Sequence, residues 1–165
     1  MSVEIRRAQR GDVQAIQTIY NEVVLTSTAA YDTEPQPLEL RLRWFDEHER
    51  TGYPIYVASD DGMIVGWSGI GPFRPRPGYR FTAENSVYVK ATHRRLGLGK
   101  RLMAPLIVDA RAAKLHSILA VIGDSENKAG VKLHMSLGFK EVAVLPEVGF
   151  KFGRWLDQVW MQLML

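Results

Sequence analysis

The chain is 165 residues long, enough for one domain with a real core, and no linker or repeat divides it, so residues 1–165 are expected to form a single domain. Its 46% hydrophobic and 24% charged content is ordinary for a globular protein, and the basic residues behind its net charge of +3 are scattered. The concentrated basic patch that holds nucleic acid is missing, and the absence of cysteine removes disulfides, thiolate metal sites and a cysteine nucleophile together.

The opening Met1-Ser2-Val3-Glu4-Ile5-Arg6 has no apolar h-region, so no signal peptide is expected. No apolar run approaches the roughly 18 residues of a membrane span, and a cytoplasmic home off the membrane is expected. Residues 3–8 read as a strand. Asp12 reads as the N-cap of a helix whose apolar face is Val13, Ile16, Ile19, Val23 and Val24. Residues 26–37 are polar and turn-rich, and contain Tyr31; a second helix follows over 38–50 and ends at Gly52. Residues 55–59 and 63–70 form a hairpin about Asp60-Asp61-Gly62. The three prolines of GPFRPRPG, residues 71–78, argue for an irregular loop. A strand over 81–89 leads into a glycine turn and a helix to about 113, in which Pro105 predicts a kink. A strand at 117–122, a helix over 127–137 closed by Gly138, and strands near 140–145 and 158–163 complete the chain. This order predicts an α/β (α+β) fold: a mixed, mostly antiparallel sheet flanked by about four helices.

Strand, glycine turn, helix start is an anion-binding arrangement, because unpaired amides and the helix dipole converge there. Gly97 and Gly99 read as positions where a Cβ would keep a phosphate from the backbone. A Walker A loop fails, since Gly99-Lys100 is followed by Arg101 and Arg94 stands where the first glycine belongs. The dinucleotide fingerprint fails too, with Leu102 at its third glycine. What remains is Arg94-Arg95-Leu96-Gly97-Leu98-Gly99 after Val87-Tyr88-Val89. This resembles motif A of the GNAT acetyltransferase superfamily. Asn127, Ala129, Leu133, His134 and Gly138-Phe139 resemble its motif B. Alone, Asn127 reads more often as a helix cap than as a ligand.

The match narrows through GPFRPRPGYR, Glu84-Asn85-Ser86-Val87-Tyr88-Val89 and Lys151-Phe152-Gly153-Arg154-Trp155-Leu156-Asp157. These resemble the phosphinothricin and methionine sulfoximine acetyltransferases along nearly the whole chain. Many of that group carry histidine at Asn85, and its close relatives often carry tryptophan at Tyr31. The resemblance implies the GNAT fold and acetyl-CoA as co-substrate. Val87, Val89, Arg94, Arg95, Leu96, Gly97, Leu98, Gly99, Lys100, Arg101 and Asn127 would form its site. It also implies a homodimer acetylating the α-amine of a small amino acid or analogue by direct transfer in a ternary complex. Alternatives are another amine, such as a peptide N-terminus, and a non-catalytic coenzyme A sensor.

Direct transfer needs a proton acceptor for the amine and a donor for the carbonyl oxygen. Glu84 is the candidate base, though an exposed strand glutamate would look the same. The resemblance places the donor at an amide near Val89. His134 stands where many GNAT enzymes have a tyrosine acid, but an isolated helix histidine is more often structural, and it is mostly neutral at pH 7. Arg74 and Arg76, on a proline-stiffened loop, suit a carboxylate or phosphinate. Tyr31 walls the pocket or sits in the core. Lys151 and Arg154 reach a neighbouring subunit's site or face water. His48, His93 and His116 lack metal-ligand spacing, and no metal is expected.

Overall fold

The structure, a computed structural model, describes residues 2–165. A single seven-stranded sheet runs through it, with β1 (Glu4–Arg7), β2 (Ile55–Asp60), β3 (Met63–Pro72), β4 (Thr82–Val89), β5 (Ser117–Ile122), β6 (Lys140–Lys151) and β7 (Arg154–Met164). The spatial order is β1-β2-β3-β4-β5-β7-β6, antiparallel throughout except for the parallel pair β4–β5. Helices α1 (Val13–Thr26) and α2 (Leu38–Thr51) cover one face, and α3 (Leu98–Ala112) and α4 (Lys128–Ser136) the other. The apolar stripe of α1 behaves as its spacing predicts: Val13, Ile16 and Ile19 bury against Phe45 of α2 and Val57 and Trp67 of the sheet. Across the sheet, Met103, Leu106 and Ile107 of α3 pack on Ile118, Ala120 and Met161.

Several elements depart from the sequence pattern for local reasons. Asp12 does not cap α1; its carboxylate accepts from the Gln9 amide (2.8 Å) and the Arg6 guanidinium (2.7 Å), closing a 3₁₀ turn that precedes the helix. Strand β3 continues through Gly71 and Pro72 into the expected loop. Pro72 lies opposite Ala83, between the hydrogen-bonded positions, where its missing N–H is not needed. Helix α3 runs unbroken through Pro105. Strands β6 and β7 are much longer than their patterning indicates, because β6 is exposed along most of its length and shows no clean alternation. They meet at a tight turn in which Phe152 (φ 51°) and Gly153 (φ 73°) are both left-handed.

One topological fact positions the site. Strands β4 and β5 pair only from Thr82↔Ser117 to Glu84↔Leu119, then run on apart. Beyond Glu84 each remains paired on its outer side, β4 to β3 and β5 to β7. The sheet therefore splits at the carboxyl ends of its two parallel strands, where open α/β sheets hold ligands.

Candidate active site in the split sheet

The split opens into a cleft of about 1040 Å³. Its floor is β4 from Glu84 to Val89 and β5 from Ala120 to Gly123. Alternation along β4 divides the lining by chemistry. Tyr88 points to the α1 face, packing edge-on against Tyr20 (5.6 Å), and Glu84 and Ser86 share a small cavity there with Trp44 and His48 of α2. Val87, Val89 and Asn85 point to the α3 face, against Leu98, Leu102 and Met103. Main-chain alternation adds a second consequence. Lys90 donates its amide to Val65 (2.9 Å), so the even-numbered amides of β4 serve β3 and those of Val87 and Val89 face the split.

At the mouth, Arg95 (φ 63°) and Gly97 (φ 73°) fold the chain into the start of α3. No side chain caps this helix, and the first amide to find a main-chain partner is that of Arg101, on the Gly97 carbonyl (3.2 Å). Among the described residues, the amides of 95–100 make no hydrogen bond to protein, which leaves them for an anion. Arg94, Arg95 and Lys100 line the same mouth. The protein itself adds a demand at each glycine. A Cβ on Gly97 would meet no protein atom within 4 Å, but its backbone is left-handed. A Cβ on Gly99 would stand 2.9 Å from the Leu133 side chain, where α3 packs against α4.

Asn127 caps α4, accepting from the Gly130 amide (3.0 Å), and lines the cleft as well, so cap and lining coexist in one side chain. His134, 3% exposed, has both ring nitrogens engaged. Nδ1 faces the Gly130 carbonyl (2.8 Å) and therefore carries the hydrogen; Nε2 then accepts from the Asn85 amide (3.0 Å). Burial pushes its pKa below the ordinary value, against a smaller opposing pull from the Gly130 carbonyl. In this neutral tautomer His134 has no free proton to give.

The Glu84 carboxylate makes no hydrogen bond to protein among the described residues, while its backbone pairs with Gly71 in the β3–β4 ladder. Burial raises its pKa, and the charge of Arg74 opposes that rise. Tyr88 is likewise pushed up to about 12 by burial, with Arg41 pulling the other way.

The cleft thus gathers Glu84, Val87, Val89, Arg94, Arg95, Gly97, Leu98, Gly99, Lys100, Asn127, His134 and Tyr31. Five expected residues lie off its lining. Leu96 points to solvent at 57% exposure, and Arg101 turns away to the Val3 carbonyl. Arg74 and Arg76 stay on the exposed 73–81 loop, where Arg74 stacks on Phe73 (4.9 Å) and reaches Glu84 only by its field. Lys151 is buried and commits its ammonium to the carbonyls of Ser27 (2.8 Å) and Ala30 (2.7 Å), because β6 carries it under the segment 27–31 and not into the cleft. Sequence reasoning missed Tyr20, Tyr88 and Asp124 on the lining. Tyr88 could have been found from its alternation with Glu84; nothing local marks the other two. Among the described residues, no three His, Asp or Glu side chains converge as metal ligands.

The chain matches known proteins along its whole length. It is 42% identical over 161 residues to the L-methionine sulfoximine/L-methionine sulfone acetyltransferase of Salmonella typhimurium, covering 98% of this chain and 94% of that one. It is 38% identical over 159 residues to the phosphinothricin N-acetyltransferase of Alcaligenes faecalis, covering 96% and 80%. A GNAT superfamily phosphinothricin acetyltransferase of Sinorhizobium meliloti, solved in complex with acetyl-CoA, superposes with a TM-score of 0.96 at 35% identity, covering 100% of this chain and 89% of that one. The model of the Acetyltransferase (GNAT) family matches residues 16–139. Split sheet, uncapped helix start and sequence agree: the chain belongs to the GNAT acetyltransferase family.

Proposed function

We propose that this protein is an acetyl-CoA-dependent N-acetyltransferase acting on the α-amino group of a small amino acid or analogue of the methionine sulfone, methionine sulfoximine or phosphinothricin type. One observation carries the reading: unpaired amides at the start of α3 and a half-buried Glu84 whose carboxylate has no protein partner among the described residues line a single cleft, on opposite faces of the split sheet. The residues fit the coenzyme. Amides 95–100 with Arg94, Arg95 and Lys100 would hold its diphosphate, and Val87, Val89 and Asn127 its pantetheine arm. The coenzyme supplies an acetyl thioester. Glu84 takes a proton from the incoming ammonium, directly or through water, and an amide of β4 facing the split supports the carbonyl oxygen as charge develops. The amine nitrogen bonds the acetyl carbon, the carbon–sulfur bond breaks, and the thiolate leaves without needing a side-chain acid, since a thiol of pKa near 8.5 is an adequate leaving group.

A homodimer is part of the proposal. Edge strand β6 and its turn expose Val142, Val144, Val148, Phe150 and Phe152, with Trp155 beside them, an apolar border that an isolated domain would leave open to association. Among the described residues no helix is long and apolar enough to cross a membrane, which supports work away from the bilayer, in the cytoplasm. The test is release of free thiol from acetyl-CoA with methionine sulfone, methionine sulfoximine, phosphinothricin and the free amino acids as acceptors. Saturable release with one of these, and an N-acetylated product by mass spectrometry, is expected. Coenzyme binding with no acceptor turned over would leave a sensor in its place.

A further inference from the structure

The α1-side wall of the cleft is residues 27–31, a segment outside any helix or strand. Such a segment has no ladder of its own to fix it, yet it is tied down from three strands. The Tyr31 hydroxyl donates to the Gly123 carbonyl at the end of β5 (2.5 Å), and its ring lies where a Cβ on Gly123 or Gly149 would stand within 2.7 Å. The Thr28 hydroxyl donates to the Asp124 carboxylate (2.8 Å), which is buried and held in turn by Arg154 (2.6 Å). The Lys151 ammonium, on β6, spans the segment by donating to Ser27 and Ala30. Lys151 is 4% exposed and, among the described residues, has no carboxylate within ion-pair distance. Burying an ammonium on two carbonyls is costly, and the two hydrogen bonds it makes tie down this loop.

The segment stands on the face of β4 that carries Glu84, Ser86 and Tyr88, away from the α3–α4 side that holds the unpaired amides. We propose that Lys151 and Arg154 are positioning residues for acceptor binding, the first gripping residues 27–30 directly and the second through Asp124. The inference rests on the acetyl-transfer reading for the word acceptor. The hairpin they belong to flanks the turn at Phe152–Gly153, so the far end of the sheet sets the shape of the acceptor wall.

The test compares Lys151→Met, which keeps the aliphatic stem, with Arg154→Met and Arg154→Lys. Acceptor KM for methionine sulfone is expected to rise about tenfold in both methionine variants, through lost preorganisation. The coenzyme A dissociation constant by calorimetry is expected to stay within about twofold, and Arg154→Lys to recover most of the loss. Amide hydrogen exchange at 28–31 should quicken in Lys151→Met. Equal weakening of coenzyme and acceptor, or an unchanged KM, overturns the proposal, and should Lys151→Met fail to fold, the more exposed Arg154 pair decides. If the wild type acetylates no amino acid, the acetyl-transfer reading fails by itself. Unchanged exchange at 28–31 overturns the positioning role whatever the acceptor.

Discussion

Gly97→Ala isolates the backbone geometry on which the proposed coenzyme binding depends. Gly97 has φ 73° and open space where a Cβ would go, so the substitution introduces no clash. Its whole cost is conformational, about 1–2 kcal/mol for an L-residue held in the left-handed region. That strain has two outlets. If the loop keeps its shape, the folded state is destabilised, and for a domain of this length Tm falls by about 3–6 °C. If residue 97 relaxes to negative φ, the amides of 95–100 turn away from their common focus. Coenzyme A affinity then drops by up to about 5–30-fold, the same free energy expressed as a dissociation constant. Thermal denaturation and titration calorimetry on one preparation read both outlets. Gly97→Asn, a residue that enters the left-handed region more readily, should show a smaller combined effect. Alanine leaving both Tm and affinity at wild-type values would refute the reasoning, since the cradle could not then depend on that φ.

Glu84→Gln should lower kcat/KM by about 10²–10⁴-fold, the range for losing a general base, with coenzyme affinity unchanged by calorimetry. Because burial raises the Glu84 pKa, wild-type kcat/KM should fall on acidification at a pH above the ordinary glutamate range, and the variant should lack that limb. The same raised pKa means the folded protein prefers Glu84 protonated, so its contribution to stability is present at low pH and lost as pH rises through the folded value; Glu84→Gln should denature later than wild type at neutral pH. His134→Ala should slow turnover by less than about tenfold, since the neutral ring has no free proton to transfer; a loss matching that of Glu84→Gln in a folded variant would reverse these roles. Phe150→Glu with Trp155→Lys should convert a dimer to monomers in sedimentation velocity, and an unaltered sedimentation coefficient would place the interface elsewhere.

What could be read from the chain depended on range. The uncapped helix start proposed as an anion cradle was legible because it is built from consecutive residues: Gly97 and the amides around it need only a turn and a helix start. Gly99 carries a second constraint that the local pattern did not show, because a Cβ there would crowd Leu133, thirty-four positions later on another helix. Lys151 was misplaced for the same cause: its partners Ser27 and Ala30 lie 124 and 121 residues away, and only β6 running back under the loop brings them together. Arg74 and Arg76 stand off the cleft lining on an exposed loop, because charge alone does not say where an exposed side chain comes to rest; their part in substrate binding is a proposal. The expected fold class held, while β6 and β7 were cut short because an edge strand with apolar residues facing outward violates the alternation used to recognise strands.

The parting of β4 and β5 has a mechanical meaning. Past Glu84 and Leu119 no ladder bond joins the block β1–β4 to the block β5–β7, so the two halves are hinged near one end, with the helices spanning the gap. A ligand that bonds the inward amides of Val87 and Val89 on one lip and packs on the other would act as a removable stave, completing the sheet for as long as it is seated. The empty protein should then be loosest along the two lips, and the loaded one should stiffen as a single body.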